Sequence, residues 1–150
     1  MIAHVERSHA IRLGYPVERV FPLFTPAGEE DWVEGWRPEY LSPAGRETRE
    51  GMVFRTGADD ETTFWSCVLW RPDRHHARYV RVTPASRFGF VDVSCRALAD
   101  GGAEATVSYA ITALNARGRD YVAKFSELSF RAMIDGWRDA IEKMFVARSA

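Results

Sequence analysis

Residues 78–83, RYVRVT, place Tyr79 and Arg81 two positions apart, with Val80 and Val82 on the alternate positions. On a strand, residues two apart share a face, so either the tyrosine and arginine or the two valines point into the protein. If the valines point inward, Tyr79 and Arg81 decorate the outer surface. If Arg81 points inward, a guanidinium lies in apolar surroundings and needs a partner. Asp92 on the following strand is one candidate partner, and a bound acid or enolate is the other. Arginine suits that task because it stays charged and offers a fork of donors. Tyr109 alternates with Val107 and Ile111, which places its phenol inward. There it can hydrogen-bond a ligand carbonyl or simply pack with its hydroxyl satisfied. Trp32, Trp36, Trp65 and Trp137 complete the set of candidate ligand-binding side chains. Trp65 shares its strand face with Cys67 and Leu69, while Phe64, Ser66, Val68 and Trp70 share the other, and either face reads as core.

Other chemistries lack their residues. His75 and His76 are adjacent and fall on opposite strand faces, and His4 and His9 are an odd number of positions apart. No histidine pairs with cysteine or carboxylate at metal-ligand spacing, so no metal is expected. There is no GxSxG, GxGxxG or P-loop, and no cofactor is expected. Formal net charge is −1, from 20 basic and 21 acidic residues, without the basic face of a nucleic-acid binder. Cys67 and Cys95 sit inside strand-like segments and read as buried thiols in a reducing compartment. The opening residues carry charges and no long apolar run, which predicts neither a signal peptide nor a membrane anchor. A cytoplasmic protein is therefore expected.

Hydrophobic content of 46% over 150 residues suits one domain, 1–150, with one packed core. The spacing predicts a strand over 4–13, then a short helix starting at Pro16. Its apolar stripe is Val17, Val20, Phe21 and Phe24, interrupted by Pro22. Thr25-Pro26 reads as a cap and first position of a second short helix, and Gly35 as its stop. Glu29, Glu30 and Asp31 fall in its first turns, where acids oppose the helix dipole favourably. They are expected to face water while Trp32 and Trp36 face inward. From Tyr40 to Leu114 the period is two, with hairpin signals between 51–57 and 62–71, then strands over 76–83, 87–98 and 103–114. Residues 119–147 read as one long helix. Gly136 inside it costs about 1 kcal/mol relative to alanine, and close packing, room for a ligand or plain tolerance of the glycine would each explain it.

The stretch VFPLFTPAGEEDWVEGWRPEYLSP (20–43), with GMVFRT (51–56), RYVRVTPASR (78–87) and VSYAITALNARG (107–118), resembles the START-like, Bet v 1-like superfamily. The branch is the one labelled SRPBCC or polyketide cyclase-type. The resemblance runs almost end to end. It implies an α+β helix-grip fold: a curved antiparallel sheet wrapped around a long C-terminal helix, with two short helices near the N-terminus beside a cavity mouth. It implies binding of a small hydrophobic or aromatic molecule in that cavity. The alternative is a cyclase or dehydratase using the same cavity, without metal or nucleotide. A co-chaperone-like interaction domain is a third reading. A homodimer through a sheet edge or the outer helix face is compatible with the pattern.

Overall fold

The computed structural model describes residues 3–149. Strand β1, His4–Leu13, is followed by α1, Val17–Val20, which tightens into a 3-10 turn at Phe21–Phe24. Pro22 inside that turn donates no backbone hydrogen bond, so the α-helical ladder cannot run through it. Helix α2, Pro26–Glu29, starts as the sequence predicts: the Thr25 hydroxyl accepts from the Gly28 amide at 3.0 Å. Helical turns continue past α2, with the Val33 amide on the Glu29 carbonyl at 2.9 Å, and Gly35 ends them at φ 76°.

Six further strands follow: β2 Glu39–Ser42, β3 Val53–Thr56, β4 Thr63–Arg71, β5 His76–Thr83, β6 Arg87–Ala97 and β7 Ala103–Ala113. They form one open antiparallel sheet in the order β1-β7-β6-β5-β4-β3-β2. Burial alternates cleanly along β5, β6 and β7, as it must when one sheet face is packed and the other solvated. The packed face carries Ala77, Tyr79, Arg81 and Thr83 of β5, with Val91 and Val93 of β6 and Val107, Tyr109 and Ile111 of β7.

The face of β5 left open by the sequence is thereby fixed. Val80 and Val82 lie on the solvated side, and Tyr79 and Arg81 point inward. Strand β4 changes phase along its length. The register shifts between Cys67 and Leu69, so Cys67 pairs with Tyr79 and Trp70 with Ala77. One extra residue turns every later side chain over. Trp65 and Cys67 therefore face inward before the bulge, and Trp70 faces inward after it, where it stacks on Phe21 at 5.5 Å.

The single helix expected over 119–147 is two helices. Helix α3 spans Ala116–Val122 and α4 spans Glu127–Ser149. The Ser126 hydroxyl accepts from the Ser129 amide at 3.1 Å, capping the second helix. Phe125 in the break turns onto Tyr109, with ring centroids 5.8 Å apart, while Arg7 holds its carbonyl at 2.9 Å. Helix α4 lays Phe130, Ile134, Ile141, Met144 and Phe145 against the sheet and front helices. Phe145 stacks on Tyr15 at 3.9 Å. Leu128, in the first turn of α4 directly after the break, is exposed. Gly136 is exposed with open space around it, so neither packing nor ligand room accounts for it. Among the described residues no helix is long and apolar enough to cross a membrane, and no cluster of potential metal ligands forms.

Candidate functional site

Between the packed sheet face, the front helices and α4 lies a cavity of ≈ 200 Å³. The sheet supplies Phe54, Trp65, Tyr79, Arg81, Val91, Val93 and Tyr109; α4 supplies Trp137. The front segment supplies Phe24, Pro26, Glu29, Val33 and Trp36. Strand pairing explains the grouping. Phe54, Trp65, Arg81 and Gly89 stand side by side across β3, β4, β5 and β6, and Cys67, Tyr79, Val91 and Tyr109 form the adjoining row.

Aromatic contacts build the walls. Phe54 stacks on Trp65 at 5.7 Å, and Trp36 meets Trp65 edge-on at 5.6 Å. The polar edges of these rings are occupied: the Trp36 indole donates to the Pro26 carbonyl at 2.9 Å, and Trp65 to the Thr56 hydroxyl at 3.0 Å. Six of the seven candidate residues border the cavity. Trp32 stands behind them, with its indole nitrogen on the Leu23 carbonyl at 2.8 Å and its ring edge-on to Trp137 at 5.7 Å.

Arg81 is only 8% exposed. Its guanidinium carbon sits 5.2 Å from the Trp65 ring centre and 5.6 Å from both Tyr109 and Tyr121, close enough for favourable cation–π attraction. One terminal nitrogen donates to the Tyr121 hydroxyl at 2.5 Å, and Nε is buried without an acceptor. Among the described residues no carboxylate pairs with it. Asp92 cannot, since it lies one position out of phase with Val91 and Val93. It is on the solvated face with His76 at 2.9 Å and Arg78 at 3.9 Å.

Glu29 overturns the expectation that all three acids of 29–31 face water. Glu30 does so, pairing with Arg46 at 3.1 Å, and Asp31 pairs with Arg148 at 3.0 Å. Glu29 turns inward, bordering the cavity, without a hydrogen-bond or ion-pair partner among the described residues. Desolvation disfavours the charged form and pushes its carboxyl up to about 8. Tyr79 and Tyr109 are raised above the ordinary phenol range, by burial first, with the Glu29 charge adding to both. Arg81 opposes the rise at Tyr109. The cavity thus has a cationic end at Arg81 and Tyr109 and an acidic element at Glu29, with aromatic walls between.

No family model matches the chain, and no curated relative matches it. Solved structures do. Norcoclaurine synthase from Thalictrum flavum aligns at 8% identity over 92% of this chain and 86% of its own, with a TM-score of 0.64. Major latex-like protein 151 from Panax ginseng aligns at 12% identity over 95% and 97%, with a TM-score of 0.68. A hypothetical protein from Helicobacter pylori aligns at 11% identity over 97% and 88%, with a TM-score of 0.71. At these identities the likeness is one of architecture. Element order, sheet topology and the long terminal helix agree with it, and the chain has the helix-grip fold of the Bet v 1-like, START-like proteins.

Proposed function

We propose that the protein binds a small aromatic molecule carrying a carbonyl or acidic oxygen. The observation that carries this reading is Arg81, a buried guanidinium on a cavity wall with no carboxylate partner among the described residues. A buried charge without a counter-ion is costly, and an oxygen of the ligand would relieve that cost. The size is consistent: an apolar cavity of about 150 Å³ admits benzene, and one of ≈ 200 Å³ suits a substituted benzene or a fused bicycle. Such pockets, mostly apolar with a few convergent polar groups, are the usual form of small-molecule sites. The large exposed apolar side chains favour this over an interaction domain. Leu41, Val68, Phe88, Leu114, Leu128 and Val146 come from β2, β4, β6, the β7–α3 turn and α4, whereas an interaction domain calls for one large contiguous patch.

Native mass spectrometry of the freshly purified protein tests the proposal by looking for a retained small molecule. Titration with 2-naphthoate, followed by tryptophan fluorescence, tests the chemistry. Arg81→Gln is expected to weaken binding by about 1.5–3 kcal/mol, the range of a hydrogen bond to a charged group, and Tyr109→Phe by about 1 kcal/mol. Unchanged affinity in both variants would remove these residues from the site.

A second reading, a cyclase- or dehydratase-like enzyme, is favoured by one observation. A tyrosine, an arginine and a carboxyl border the same cavity, which a carrier for apolar molecules does not need.

A further inference from the structure

Glu29 is the group that simple binding leaves unexplained. Its neighbours Glu30 and Asp31 both reach arginines in solvent. Glu29 instead lines the cavity with Pro26 and Val33, together with Arg81 and Tyr109, and among the described residues it forms no ion pair with Arg81. A ligand whose oxygen rests on the guanidinium and phenol would fill the space between the two ends. Carbon atoms beside that oxygen-bearing carbon would then lie towards Glu29.

We propose that this cavity enolises a ketone, with Glu29 carrying the proton. This rests on the ligand-binding reading above and adds chemistry to it. The C–H bond next to the carbonyl breaks, and its proton goes to a Glu29 carboxylate oxygen. The electron pair becomes the C=C bond of the enolate. The charge gathers on oxygen, where the Arg81 guanidinium and the Tyr109 hydroxyl donate to it. Once the Glu29 carboxyl has traded that proton for one from solvent, protonation of the same carbon replaces the original hydrogen, and where the enolate is conjugated with a further C=C bond, protonation of its far carbon gives an isomer. No oxidant, reductant or metal enters the balance. Donors fixed where the charge develops are the larger source of stabilisation in such steps. The apolar side chains of Phe24, Val33, Trp36 and Trp65 around the cavity lower the local polarity and strengthen that interaction. A base works best when its affinity for protons lies near the operating pH, and the carboxyl of Glu29, pushed up to about 8, meets that condition.

The probe is 2-tetralone, a fused bicyclic ketone, incubated with the protein in D2O, with loss of its α-proton signals followed by NMR. Occupancy is read separately, from shifts of the Trp36 and Trp65 indole N–H resonances. The wild-type protein is expected to exchange the bound ketone at least about 100-fold faster than Glu29→Gln, the lower end of what a positioned acid–base group contributes. Glu29→Asp, which withdraws the carboxyl by one methylene, should fall between them. The wild-type rate should rise with pH and level off above about 8, while Glu30→Gln leaves it unchanged. A ketone that binds but exchanges no faster with wild type than with Glu29→Gln overturns the proton transfer and leaves the binding reading standing. A ketone that does not shift the indole signals overturns both.

Discussion

Glu29→Gln is expected to stabilise the protein at pH 9 and leave its stability nearly unchanged at pH 4. The carboxyl has an ordinary value of 4.5 and a folded value of about 8. Below 4.5 both folded and unfolded chains hold the proton. Between 4.5 and about 8 the unfolded chain releases it while the folded chain keeps it, so the folded state binds more protons and stability falls as pH rises. Above about 8 both forms are ionised and the full cost is present. Each unit of difference corresponds to about 1.4 kcal/mol, so the rise from 4.5 to about 8 totals on the order of 5 kcal/mol. Glutamine keeps the shape and cannot ionise, which removes the slope. For a chain of this size about 5 kcal/mol corresponds to roughly 10–20 °C in Tm.

Thermal unfolding of both proteins followed by circular dichroism at pH 4, 7 and 9 checks this. The difference between the two curves should open from near zero to its full value across that range, and parallel curves would show that Glu29 is solvated. Groups common to both proteins cancel in the difference. Those facing Glu29 do not titrate in the window, because burial holds Tyr79 and Tyr109 above it. A side chain that costs this much at neutral and alkaline pH is a poor choice for stability alone. That is the expected trade at a site where function requires a strained or desolvated group.

The architecture was legible in the sequence because periodicity reports directly on burial. Period two across 76–114 gave the strands β5 to β7, and Thr25-Pro26 gave the start of α2. Three features were obscured by physical causes that can be named. The break at 123–126 hides because Phe125 is apolar and keeps the helical stripe going, although Ser126 with the Ser129 amide three residues on is an ordinary capping pattern. The bulge at Val68 hides because residues 64–70 are apolar on both faces, so no alternation marks the change of phase. Charge groups Glu29 with Glu30 and Asp31. Helical spacing groups it otherwise: Pro26, Glu29, Val33 and Trp36 are separated by three, four and three positions, one face of a helix, and all four border the cavity. The inward turn of Arg81 was not decidable from β5 alone, since valine on the solvated face of a half-buried sheet is as acceptable as valine on the packed one.

The orientation of Glu29 depends on one glycine, and Gly28→Ala is expected to be the most damaging single methyl in the front segment. A Cβ at Gly28 would overlap the Pro22 carbonyl oxygen and lie 2.8 Å from Leu23 Cα. Both are backbone atoms, so no rotamer change relieves the clash. The carbonyl cannot retreat freely either, since it accepts the Thr25 hydroxyl at 2.7 Å. Helix α2 must therefore separate from the 3-10 turn at Phe21–Phe24, breaking the cap at Thr25. Overpacking of this kind costs about 1–3 kcal/mol, and loss of the cap about 1 kcal/mol more, which denaturant titration would register as a lower midpoint. The site is affected through the same movement, because α2 carries Glu29 and leads directly to Trp36. With α2 displaced, the carboxyl gains access to water and the raised proton affinity relaxes. In the Gly28→Ala background, Glu29→Gln should therefore no longer change the dependence of stability on pH, a coupling that a double-mutant cycle measures directly. Additive effects would mean that Glu29 is held in the cavity by something other than the close packing of α2 on the turn before it.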